Sequence, residues 1–73
     1  MPMNLYERIK IIRMYLDDNL LMDEQLCKNI IQCTCEVAFD QMINTISKTW
    51  GFDLEEVAMD HYWIALHSGW YGN

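Results

Sequence analysis

The stretch CKNIIQCTCEVAF, residues 27–39, decides how the fold is read. It holds all three cysteines of a 73-residue chain, and the residues on both sides of it have helical spacing. Read as helical throughout, it joins its neighbours into one long central helix over residues 24–49. At about 1.5 Å per residue such a helix spans roughly 40 Å. Lys28, Gln32, Glu36 and Asp40 recur every fourth residue and mark its wet stripe. Leu26, Ile30, Cys33 and Val37 make one apolar stripe; Cys27, Ile31, Cys35, Ala38 and Met42 make a second beside it. Toward the C-terminal half the apolar set drifts round to Phe39, Met42, Ile43, Ile46 and Trp50. An apolar surface this wide needs more than one neighbour, which predicts a homodimer. CTCEVAF has β-branched and aromatic members, but it lies inside this helical period and no strand is expected.

Helical phase also bears on the cysteines. At about 100° per residue, Cys33 and Cys35 point about 160° apart. Cys27 and Cys33 are about 120° apart around the axis and about 9 Å apart along it. Zinc takes about four thiolate or imidazole ligands at tetrahedral corners, usually from C-x2-C to C-x4-C spacings. His61 and His67, six residues apart, meet the same objection. The three thiols therefore read as packing residues, since free cysteine behaves as a small hydrophobe. A redox role is not expected either, because Asp23 and Glu24 oppose thiolate formation at Cys27. No metal and no cofactor is assigned. The alternative from a different class is a Cys/His metal-dependent structural protein, built on Cys27, Cys33, Cys35, His61 and His67 and completed across a subunit interface.

The flanking helices carry clearer signals. Asn4 is placed to cap a helix over residues 5–18, with Glu7 completing a capping box. Leu5, Ile9, Ile12 and Leu16 line its apolar face, extended by Ile11 and Tyr15, with Arg8, Lys10 and Arg13 at its edges. Asn19 is suited to a left-handed cap at its end. In WGFDLEEVA, residues 50–58, Gly51 breaks one helix and Asp53 caps the next. Glu56 completes a second capping box, and Phe52 is placed to staple onto Val57. That helix runs over residues 54–68 to a Gly69 stop, leaving 69–73 as a short aromatic tail. The expected fold is all-α: one compact three-helix domain over residues 1–73 with a long central helix, assembled as a homodimer.

Composition bounds the function. Apolar residues make up 52% of the chain, too many for disorder. A chain this short buries only about 60% of the surface its unfolded form exposes, so it gains from a partner. The net charge is −6, unevenly spread: residues 1–16 sum to +2 and residues 17–73 to −8. Three basic residues on one short segment are a thin footprint for nucleic acid, and the acidic remainder repels it. A basic surface on another protein is the better match. No apolar run reaches the roughly 20 residues of a membrane span, and the N-terminus lacks signal-peptide features. Three clustered thiols fit a reducing compartment, so the protein is expected to be cytoplasmic.

No Gly-rich phosphate loop, Ser-centred elbow or H-E-x-x-H pattern occurs, so no catalytic residue is assigned. His61 lies among Leu54, Val57, Ala58 and Ala65 and reads as a core histidine with one satisfied nitrogen rather than a general acid or base. On the opposite face, Glu56, Asp60, Trp63 and His67 follow i, i+4, i+7, i+11 spacing. A tryptophan flanked by acids on a polar stripe reads as an interface anchor. Trp70 and Tyr71 beyond Gly69, and the acids Glu36 and Asp40, join the candidate partner-binding set, with Glu55 beside Glu56.

TWGFDLEEV, residues 49–57, is similar to the Gly-Phe loop and following capped helix of ubiquitin-associated domains. The likeness covers nine residues, with Trp50-Gly51-Phe52 where those domains open on Met-Gly-Phe, and without the further helix that they need. It is read as capping grammar, and no family is assigned. In size and charge, though not in any motif, the chain resembles small acidic proteins with which bacteriophages inhibit host enzymes or defence systems. The expected function is thus a small acidic, non-enzymatic interaction module, a regulator or inhibitor that binds a basic surface on a partner protein. The alternative is a phage-type inhibitor that competes with nucleic acid for its target.

Overall fold

The computed structural model describes residues 3–69. Four helices follow in chain order: α1 Leu5–Asp18, α2 Glu24–Ile31, α3 Glu36–Trp50 and α4 Leu54–Ser68. The fold is all-helical and compact, with no strand among the described residues. Both outer helices begin at their expected N-caps, Asn4 and Asp53, though only Asn4 forms the reciprocal capping box. Asn4 Oδ1 accepts from the Glu7 N–H at 2.8 Å, and Glu7 reaches back to the Asn4 N–H, forming the expected capping box. Asp53 Oδ1 accepts from the Glu56 N–H at 3.1 Å, and Ser47 Oγ of α3 takes the Leu54 N–H at 2.9 Å. Phe52, expected to staple onto Val57, lays its ring against Trp50 with centroids 5.9 Å apart.

The left-handed residue after α1 is not Asn19 but Leu20, with φ 56°. The Leu20 N–H bonds the Asp17 carbonyl and the Leu21 N–H bonds that of Leu16, at 3.2 and 2.8 Å. That pair of bonds is a Schellman closure, with Leu20 at the position glycine usually takes. Asn19 directs its side chain to the Tyr15 carbonyl instead.

The long central helix is not formed. Residues 32–35 interrupt it and leave α2 and α3 as separate helices, so the three-helix expectation is corrected to four. The cause lies in the core. Ile30 and Phe39 are nine residues apart, which in one continuous helix sets them about 180° apart around the axis. Both are fully buried in a single core, so the chain has to change direction between them. Cys33, Thr34 and Cys35 are weak helix formers and let it do so. The Cys33 N–H closes a tight turn onto the Ile30 carbonyl, and Cys35 turns extended to begin α3. Val37, expected on the stripe of Leu26 and Ile30, is 66% exposed. The drift in the apolar pattern is therefore a change of phase between two helices, not one wide surface. With it goes the reason for expecting a homodimer.

The core joins Ile11, Ile12 and Leu16 of α1, Ile30 of α2, Phe39 and Ile43 of α3, and Leu54 and Ala58 of α4. Helix α1 packs mainly on α4, with α2 against α1 and α3 against α4. Ala58 and Ala65, both buried, present small side chains from α4. Packing the inward face this way turns Glu56, Asp60, Trp63 and His67 outward.

Candidate functional site

The outward face of α4 keeps the arrangement its spacing predicts. Trp63 is 50% exposed, and the His67 ring, one turn on, stacks against it with centroids 5.4 Å apart and planes 21° apart. Glu56 and Asp60 are exposed, and neither forms an ion pair among the described residues. Ile64, outside the set expected from the spacing, lies on the same face and is 67% exposed. Its signal was present: Ile64 continues the Glu56–Asp60 row by four residues, an apolar side chain on a polar stripe.

The other acids are placed differently. Glu36 and Asp40, expected to meet a partner, turn toward Arg8 together with Glu55. Arg8 Nε and Nη2 reach the two Glu55 carboxylate oxygens at 2.7 and 2.8 Å, a bidentate pair. Nη2 also donates to Asp40 Oδ1 at 2.6 Å, and Nη1 lies 3.7 Å from Glu36 Oε2. Beneath these carboxylates the guanidinium carbon sits 4.8 Å from the centre of the Phe39 ring, a cation–π contact. The Glu55 hydrogen bond raises the Arg8 pKa further, against the opposing effect of burial. Arg8 thus ties α1 to α3 and α4, and part of the acidic stripe serves this internal clasp. Sequence spacing carries no sign of it, because the hydrogen-bonded partners Asp40 and Glu55 are 32 and 47 residues away.

His61 packs at the junction of α1 and α4. Its ring meets Tyr15 edge-on at 5.5 Å, and Nε2 lies 3.3 Å from Asp18 Oδ2. That placement fits a structural histidine joining two helices. Of the cysteines, Cys35 is exposed and Cys27 and Cys33 are half-buried. Cys33 Sγ points to the Asn29 carbonyl at 3.4 Å, and burial, with a smaller effect from Cys35, pushes its thiol pKa up. Cys33 and Cys35 both lie within the interruption after α2, so the helical phase expected to point them apart does not apply there. Among the described residues no group of three or more His, Cys, Asp or Glu side chains is placed to hold a metal ion. No helix there is long and apolar enough to cross a membrane. Trp70 and Tyr71 lie outside the described residues.

Compared with known proteins, the chain matches no family model, no curated protein and no solved structure.

Proposed function

We propose that this chain is a non-enzymatic interaction module that docks on a basic surface of another protein through the outward face of α4. The half-exposed Trp63, steadied by the stacked His67 ring, carries the reading. A tryptophan on a rigid helix offers a large contact area at little cost in side-chain entropy. Burying its remaining exposed surface, roughly 100 Å², contributes about 2–3 kcal/mol. Ile64 widens the apolar contact. Glu56 and Asp60, which form no ion pair among the described residues, select a partner carrying Lys or Arg and speed the encounter. Glu36, Asp40 and Glu55 support the site indirectly, by holding α3 and α4 on α1 through Arg8. One copy presents the whole face, so the reading needs no second copy.

Affinity capture from the source cell tests this, comparing the native chain with Trp63→Ala and with Glu56→Lys/Asp60→Lys. The expected result is one partner lost from both variants while their helicity stays intact. A partner retained by both variants would overturn the assignment. DNA or RNA that displaces the chain from that partner, with a steep dependence on salt, would narrow the function to an inhibitor of nucleic-acid binding.

A further inference from the structure

A second surface lies away from the α4 face and carries the opposite charge. Tyr6, Lys10, Arg13 and Asp17 fall at i, i+4, i+7 and i+11 on α1 and form one exposed row. Between this row and α2 runs a groove of about 370 Å³, with the half-buried Met14, Met22 and Cys27 among its lining residues. That volume is at the low end of the roughly 300–1,000 Å³ of ligand sites, enough to seat a few side chains of a bound segment. Lys10 and Arg13 on the groove's rim form no ion pair among the described residues. In a chain of net charge −6, two such cations over an apolar floor are a local reversal of sign, and Asp17 is the one acid among the described lining residues. Methionine side chains adapt their shape to an incoming apolar group, as binding grooves require.

We infer that the α1/α2 groove binds an acidic amphipathic helix of another protein. Its apolar side chains would sit over Met14 and Met22, and its carboxylates would meet Lys10 and Arg13. Tyr6 extends the contact as an exposed aromatic at one end of the row. This is the helix-in-groove mode, in which apolar anchors give affinity and flanking charge gives orientation. It does not depend on the role of Trp63. Together the two surfaces would let one small chain bridge a basic partner and an acidic one.

The test uses the full chain and a fluorescein-labelled, glutamate-rich helical peptide with leucines at i, i+3, i+4 and i+7, beside a twin carrying lysine for every glutamate. The acidic peptide is expected to bind and shift the Met14 and Met22 methyl resonances, and the lysine twin is expected not to. Lys10→Gln/Arg13→Gln should weaken binding about ten-fold, and Lys10→Glu/Arg13→Glu further, while Trp63→Ala leaves it unchanged. Equal binding of the two peptides, or binding insensitive to both double variants, would overturn the proposal. So would sedimentation showing that the chain self-associates and that Lys10→Glu/Arg13→Glu abolishes it, which would give the groove to a second copy.

Discussion

Arg8 of α1 clasps Glu55 of α4 through both carboxylate oxygens, at 2.7 and 2.8 Å, although the two residues are 47 positions apart. The same guanidinium holds Asp40 and rests on the Phe39 ring, so one side chain joins three helices and covers the core. Acids that would otherwise repel each other across α3 and α4 are neutralised by it. With no buried polar side chain among the described residues, this partly exposed clasp is the main polar tie among the helices.

Removing the clasp should therefore cost stability. Arg8→Ala leaves three carboxylates facing each other and uncovers Phe39; the expected loss is about 2 kcal/mol, in the range for hydrogen bonds to charged groups. Arg8→Lys keeps the charge but not the fork and should recover only part of it. Urea denaturation measures both. A loss below about 0.5 kcal/mol for Arg8→Ala would show that the pairs are no more than surface ion pairs.

Leu20 makes the opposite prediction. It holds φ 56° while 93% exposed, so it bears the cost of a left-handed backbone with little packing in return. Leu20→Gly should stabilise the fold by about 1 kcal/mol, a rise in Tm of about 4–8 °C for a domain of this size. A lower Tm would show that the Leu20 side chain contributes contacts of its own.

The interruption between α2 and α3 is tested by a pair of substitutions. Phe39→Ala should cost about 3–5 kcal/mol, because the ring is fully buried and supports Arg8. Val37→Ala should stay within about 0.5 kcal/mol, because Val37 faces solvent. A continuous helix would give Val37 a share of the core with Leu26 and Ile30, and its truncation would then be costly.

Thiol chemistry reads the same segment. Cys35 is exposed, whereas Cys33 is half-buried, bonded to the Asn29 carbonyl and shifted toward alkaline pKa by burial. Iodoacetamide should modify Cys35 first and Cys33 only slowly, as followed by peptide mass spectrometry. Because the fold favours the neutral Cys33 thiol, its contribution to stability is full below the ordinary thiol pKa and declines as pH rises through the raised value. Faster labelling of Cys33 than of Cys35 would contradict the placement of both.

Local capping made the outer helices legible. Asn4 with Glu7, and Asp53 before Glu56, set starts that can be read over four residues. The end of α2 had no such mark, since Cys33-Thr34-Cys35 contains neither glycine nor proline. Its evidence was the phase slip between Ile30 and Phe39, which is visible in the sequence but has two readings: a wider surface or a turn. Only the position of the common core separates them. The α4 face was legible because one helix contains all of it; the Tyr6–Lys10–Arg13 row is equally local, but its cations were expected only at the edges of the α1 apolar face. The Arg8 clasp was not, because its geometry exists only once three helices have packed.

The central claim, that the α4 face is the binding surface, is tested most directly by the affinity of the captured partner for the native chain and for Trp63→Ala. Calorimetric titration at fixed salt, with circular dichroism to verify the fold, should show a loss of at least about 2 kcal/mol, roughly thirty-fold in Kd. An unchanged Kd for a folded Trp63→Ala chain would contradict the account.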